Sequence, residues 1–266
     1  MNIEQQKKGK VILAAAGCGD PELITVKAAR FLQQADIVLT DRLVSEDILE
    51  RYVSPLAEII FVGKQNNNVA SFAQPTINQL LVKYALQGKL VVRLKGGDVA
   101  FFSNILDELE AVVANEIDFE IIPGITAASG ASAYAGIPLT ARGYATAVRM
   151  LTYYKETSFS DSQWAALAAT DDTLVFYMSS ENIEVIVENL VKNNINRNKL
   201  LAVVQQATTV FQQVAITDLY QFDQTIKGMP LASPTLLIIG KVVALHNKFN
   251  WNKNSIYATD YFKTLL

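Results

Sequence analysis

The sequence predicts an α/β protein in two lobes, a mainly parallel N-terminal sheet followed by a mixed C-terminal one. Short apolar runs alternate with segments of helical periodicity through the first half of the 266-residue chain. Such alternation with short connections builds a parallel sheet covered on both faces. Glycine-bearing loops follow the first and the fourth of those runs, where open α/β sheets hold their ligands. In the second half the apolar runs follow one another more directly, which calls for antiparallel neighbours.

Residues 11–16 read as a strand that ends in Gly17-Cys18-Gly19-Asp20-Pro21 and gives way to a helix over 22–34. A strand over 37–39, a helix over 46–52, a strand over 59–62 and a helix over 77–86 come next. The series continues with a strand over 90–94, a helix over 106–114 and a strand over 119–122. After Pro123-Gly124-Ile125-Thr126, the small-residue segment 127–135 predicts a helix packed closely against its neighbours, stopped by Gly136-Ile137-Pro138-Leu139.

The second half predicts strands near 148–152, 173–178, 200–204 and 214–217, a helix over 183–193 and a final strand pair near 236–244. A boundary is expected after Arg142-Gly143. That gives a polar extension over 1–9, an α/β lobe over 10–143, a second over 144–246 and a polar tail over 247–266. Neither a solenoid repeat nor a low-complexity segment interrupts the chain.

Half the residues are hydrophobic and 18% are charged, so the chain can bury a sizeable core. A formal charge of −3 argues against a nucleic-acid partner, which needs a basic excess or stripe. The single cysteine, Cys18, cannot form an internal disulfide, and the single histidine, His246, cannot supply a multi-histidine metal site or readily a nucleophilic triad. No metal is expected. The opening residues are polar and no run reaches the ~18 apolar residues of a membrane span, so a soluble cytoplasmic protein without a membrane partner is expected.

Gly17-x-Gly19 invites a dinucleotide reading, but Glu22 stands where the third glycine belongs and Asp20 would face a pyrophosphate. The loop Lys95-Gly96-Gly97-Asp98 again sets an acid after glycines that permit close backbone approach. Two acidic glycine loops suit a ligand with hydroxyls or positive charge better than a phosphate, although Gly and Asp are also ordinary turn residues.

An ordered series of segments resembles the tetrapyrrole methylase family. It comprises Gly17-Cys18-Gly19-Asp20-Pro21-Glu22-Leu23-Ile24-Thr25, Asp41-Arg42-Leu43-Val44-Ser45, Val62-Gly63-Lys64 and Val92-Arg93-Leu94-Lys95-Gly96-Gly97-Asp98. Pro123-Gly124-Ile125-Thr126-Ala127, the run from Ala133 to Gly143, and Leu174-Val175-Phe176-Tyr177-Met178 complete it. The resemblance implies a homodimer of two-lobed α/β subunits that hold S-adenosylmethionine between the lobes and need no metal. The activity it implies is C-methylation of uroporphyrinogen III to precorrin-2, for sirohaem or cobalamin synthesis. Methylation of another tetrapyrrole or small molecule, or ligand binding without turnover, are the alternatives.

The family's cofactor contacts fall on Cys18, Gly96, Gly97, Asp98, Phe101, Thr126, Ala127, Met178 and Ala207. In that reading Asp98 accepts from ribose hydroxyls or the ammonium group. By residue type alone Met178 reads as core. Asp41 and Lys64 match the proton acceptor and proton donor. The acceptor is an octacarboxylate, which directs attention to the cations Arg42, Lys64, Lys95, Arg142 and Arg149. Arg42 and Arg142 are the substrate candidates, a guanidinium being suited to bidentate carboxylate contact. The chain departs from the family after Gly-Gly-Asp, where Asn104 replaces an arginine within Val99-Ala100-Phe101-Phe102-Ser103-Asn104-Ile105-Leu106-Asp107. It departs again where Thr152-Tyr153-Tyr154 replaces Thr-Gly-His.

Overall fold

The computed structural model describes residues 8–62, 74–154 and 159–252. The chain divides into two compact units between Thr126 and Ala127.

The first unit alternates strand and helix: β1 (Lys10–Ala15), α1 (Val26–Gln34), β2 (Ile37–Thr40), α2 (Glu46–Tyr52), β3 (Glu58–Phe61), α3 (Gln74–Leu86), β4 (Leu90–Lys95), α4 (Leu106–Ala114) and β5 (Asp118–Ile122). Its five strands run in the order β3-β2-β4-β1-β5, and every pairing is parallel. The period-two alternation of β1 sorts its side chains. Ile12 and Ala14 belong to a core with Ala28 and Leu32 of α1 and Ile48 and Leu49 of α2. Val11 and Leu13 belong to another with Ile77 and Leu81 of α3 and Val112 of α4.

Strand register aligns the carboxyl ends. Ala15 is opposite Lys95, Thr40 opposite Leu94, and Ala14 opposite Ile122, so the loops after β1, β2, β4 and β5 leave the sheet along one edge. The first helix begins later than the sequence suggests. Thr25 is extended and its Oγ1 accepts the Ala28 N–H at 3.2 Å, capping α1. Pro21–Leu23 forms a separate 3₁₀ turn capped by Asp20.

The second unit contains α5 (Ala127–Tyr134), β6 (Val148–Thr152), α6 (Asp161–Ala169), β7 (Thr173–Tyr177), α7 (Ile183–Lys192), β8 (Leu200–Gln205), β9 (Gln213–Asp218) and β10 (Thr235–Gly240). Its five strands run β6-β7-β10-β8-β9. Only β6 and β7 pair in parallel, the other neighbours being antiparallel. Leu174, Phe176, Leu201, Val203, Leu237 and Ile239 share a core with Trp164, Ile186 and Leu190. Val175, Ala202, Val204, Leu236 and Ile238 share another with Ala128, Ala131 and Ala135.

That second core moves the unit boundary. The small-residue helix α5 contributes its apolar face to the second sheet, so compactness separates the chain ahead of Ala127 rather than after Gly143. The final strand pair is a single strand, β10, after which Lys241–Leu245 turns as a 3₁₀ helix. Helix α6 lies where the sequence reading has no element; its capping box, Ser160 with Gln163, is the local signal that marks its start.

Candidate functional site

At the carboxyl edge of the first sheet the two glycine loops are joined. Gly17 donates its N–H to Gly97 O at 3.1 Å, and Gly97 returns its N–H to Gly17 O at 2.6 Å. Both residues take left-handed backbone, φ +80° and +74°, which glycine tolerates without a Cβ penalty. The buried Asp98 carboxylate then fixes two further segments. Its Oδ1 accepts the Ala100 N–H and its Oδ2 the Gly124 N–H, each at 2.7 Å.

Gly124 lies so close to β1 that a Cβ there would come 2.5 Å from the Ala15 Cβ, whereas a Cβ on Gly97 would meet nothing within 4 Å. The loops after β1, β4 and β5 therefore form one connected cradle whose glycine at 97 faces open space. Cys18 is partly exposed beside it, Phe101 is exposed and Thr126 is half-buried. Asp98, expected to serve a ligand, has both oxygens engaged by backbone N–H groups and acts first as the tie between loops.

Asp41, just beyond β2, ends a buried charge network. Arg93 Nη2 donates to Asp41 Oδ1 at 2.6 Å, Arg93 Nε to Glu108 Oε1 at 2.9 Å, and Arg93 Nη1 to the carbonyls of Leu39 and Leu94. Lys95 Nζ donates to both oxygens of Glu108, at 3.2 and 3.1 Å. The Glu108 side chain is fully buried and those of Arg93 and Lys95 nearly so, while that of Asp41 is 26% exposed. Burial opposes the Arg93 charge, but Asp41 and Glu108 outweigh it and hold its pKa above the ordinary arginine value. For Lys95 the balance reverses: burial and the neighbouring Arg93 push its ammonium below the ordinary lysine value against the pull of Glu108. Lys95 is thus committed to Glu108. Arg42 is half-buried on the next residue after Asp41, and Lys64 lies outside the described residues.

In the second unit β7 and β8 are both antiparallel to β10, so they run parallel to each other and finish at the same edge. Met178, the residue after β7, is 48% exposed and left-handed at φ 51°; its placement excludes a core role. After β8, Ala207 is flanked by Gln206 at φ 47° and Thr208 at φ 66°. A β-branched residue in that region is strained, and such strain collects at ligand-holding sites. Surrounding bonds hold the turn: Gln206 N–H to Pro234 O, Thr208 N–H to Gln212 Oε1 and Thr209 Oγ1 to Gln206 O, each at 2.8 Å. Ala127 opens α5, and the next residue, Ala128, donates its N–H to the Tyr177 hydroxyl at 3.0 Å.

Arg142 is exposed on a turn closed by the reciprocal bonds of Ala141 and Ala145. Arg149 is engaged elsewhere: its Nε donates to Asp172 Oδ2 at 2.6 Å, beside the start of β7 and away from Met178. Sequence reasoning passed over Arg93, Glu108, Gln206 and Thr208. Two cations at alternate positions of the otherwise apolar β4 were the available signal, because a buried strand face carrying Arg93 and Lys95 requires an anion against it. Among the described residues no group of three or more His, Cys, Asp or Glu side chains could hold a metal ion.

These features define an α/β protein of two units whose glycine-bearing strand-end loops are joined at the carboxyl edge of the first sheet. A profile described as Tetrapyrrole (Corrin/Porphyrin) Methylases matches residues 10–223; the chain belongs to this family. It is 43% identical over 248 residues to a siroheme synthase of Saccharophagus degradans, which covers 93% of the chain and 54% of the relative. It is 45% identical over 244 residues to a siroheme synthase of Acinetobacter baylyi, covering 92% and 53%. The chain therefore spans about half the length of these curated relatives. The crystal structure of uroporphyrin-III-C-methyltransferase from Thermus thermophilus superposes with a TM-score of 0.74 at 32% identity, covering 91% of this chain and 96% of that one. The same enzyme complexed with S-adenyl homocysteine gives 0.73 at 31% identity, covering 88% and 93%.

Proposed function

We propose that the chain is an S-adenosylmethionine-dependent methyltransferase that C-methylates uroporphyrinogen III to precorrin-2, in sirohaem or cobalamin biosynthesis. The observation that carries this reading is the joined Gly17, Gly97, Asp98 and Gly124 cradle, in a chain 32% identical to a uroporphyrin-III-C-methyltransferase across 91% of its length.

The residues fit the methyl donor. Gly97 leaves open space beside backbone that a Cβ would fill, and the exposed Met178 and Phe101 offer apolar contact. In this reading the donor-holding residues are Cys18, Gly96, Gly97, Asp98, Phe101, Thr126, Ala127, Met178 and Ala207. Bound S-adenosylmethionine supplies an electrophilic methyl group on a sulfonium. The chain's own residues align the acceptor, exclude water and take the proton released at the methylated carbon. Asp41 accepts that proton, held by Arg93, while Lys64 acts as donor. Arg42 and Arg142 contact acceptor carboxylates, and the exposure of Arg142 leaves its fork available for bidentate binding.

The same reading makes the protein a cytoplasmic homodimer. The partly exposed Phe119 and Ile121 on the edge strand β5 support burial against a second copy. An anaerobic assay with uroporphyrinogen III and methyl-labelled S-adenosylmethionine tests the function. Label in a doubly methylated product is expected; donor binding without transfer would turn the assignment toward another acceptor or a binding role.

A further inference from the structure

Among the described residues, the charge network of the first unit reaches solvent at Asp41. Glu108 carries two cations at once, Lys95 on both of its oxygens and Arg93 through Nε. With Nε anchored there and Nη1 on the carbonyls of Leu39 and Leu94, the planar guanidinium has its orientation set. Its Nη2 then meets Asp41 Oδ1 at 2.6 Å. Among the described residues this is the hydrogen bond that holds the Asp41 carboxylate, and Asp41 is the member of the network that reaches solvent. Packing apolar residues in place of buried ion pairs is often neutral or stabilising, so fold stability is a weak reason for four charged groups here. A fixed carboxylate at the strand edge is a better one.

We propose that Glu108 is a positioning residue for Asp41, acting through Arg93 to hold the carboxylate in place for proton removal, with Lys95 balancing the Glu108 charge. This rests on the methyltransferase reading for its consequence in turnover, but the placement of Asp41 is testable without activity.

Crystal structures of Glu108→Gln and Arg93→Lys beside the wild type read the placement directly. Asp41 is expected to leave its wild-type position in both variants; an unmoved carboxylate overturns the proposal. Kinetics read the consequence: kcat should fall about tenfold to a hundredfold, the effect of misplacing a reacting group by about an ångström. KM for the donor and S-adenosylhomocysteine affinity should stay within about twofold. The double variant Glu108→Gln/Lys95→Met removes one anion and one cation together. It should melt closer to wild type than Glu108→Gln alone while kcat remains low; recovery of kcat along with stability would reduce Glu108 to a structural role and overturn the proposal. Should Glu108→Gln fail to fold, the charge-conserving Glu108→Asp, which shortens the reach to Arg93 Nε, carries both measurements. A wild type that transfers no methyl group to uroporphyrinogen III would defeat the assignment of that acceptor, and the position of Asp41 in the variant crystals would still decide the positioning claim.

Discussion

The Asp98 carboxylate accepts the Gly124 N–H at 2.7 Å, joining the loop after β4 to the loop after β5. Its other oxygen holds the Ala100 N–H, so one buried side chain sets the shape of the cradle from both sides. Asp98→Ala should cost about 1–3 kcal/mol of stability by removing charge-assisted hydrogen bonds to two part-buried backbone N–H groups. Calorimetric affinity for S-adenosylhomocysteine should fall as well. Asp98→Asn, which keeps one acceptor oxygen, should lie between. Equal affinity in all three proteins would detach Asp98 from the donor site.

Gly124 and Gly97 should respond differently to alanine. A Cβ on Gly124 would come 2.5 Å from Ala15 Cβ and 3.2 Å from Gly97 O, an overlap of backbone layers with no flexible end to yield. Gly124→Ala should therefore lower stability by about 1–3 kcal/mol through overpacking. Gly97→Ala has room and incurs only left-handed strain, about 1 kcal/mol, but its methyl would project into the space assigned to the donor. The expected pattern in thermal melts and ligand titrations is a larger loss of stability for Gly124→Ala and a larger relative loss of donor affinity for Gly97→Ala.

Much of this was written locally in the chain. The strand and helix series of the first unit follows from apolar periodicity, and Glu46–Tyr52 and Leu106–Ala114 form where that periodicity places them. The glycine loops were equally legible because left-handed turns restrict residue choice. The departures arise where distant contacts decide. Helix α5 joins the second core through Ala128 and Ala131, which its own composition cannot announce. Glu108 is fully buried because Arg93 and Lys95 await it on a strand, although in sequence it looks like an ordinary acidic residue in the first turn of a helix.

Acid should weaken the second unit through Asp172. The Arg149 guanidinium, then Thr170, hold its carboxyl below the usual aspartate range. Because the folded-state pKa is depressed, its stabilising contribution is complete above the unfolded value of about 3.9 and disappears as pH falls through the folded value. Asp172→Asn should melt below wild type at neutral pH, with the gap closing as pH falls below the ordinary aspartate range. Parallel melting curves at a constant separation over that range would exclude this linkage.

Asn104 stands where the family resemblance implies an arginine. It is exposed and left-handed at φ 51°, and Phe102 two residues earlier is left-handed at φ 53°. Asparagine is among the few non-glycine residues that enter this region readily; an arginine there would incur about 1 kcal/mol of strain. Against this, a guanidinium on an acceptor carboxylate adds a charge-assisted hydrogen bond worth about 1.5–3 kcal/mol. The strain is carried by free and bound protein alike and so lowers stability rather than affinity, leaving roughly tenfold to hundredfold tighter binding. Asn104→Arg should therefore bind uroporphyrinogen III more tightly in anaerobic titration while leaving S-adenosylhomocysteine affinity unchanged. The two left-handed residues also show how the expectation can fail, since they bend the loop between Val99 and α4 and set where position 104 points. No gain in acceptor affinity, with the variant folded, would mean that this bend turns residue 104 away from the acceptor and that Arg42 and Arg142 carry the carboxylate contacts without it.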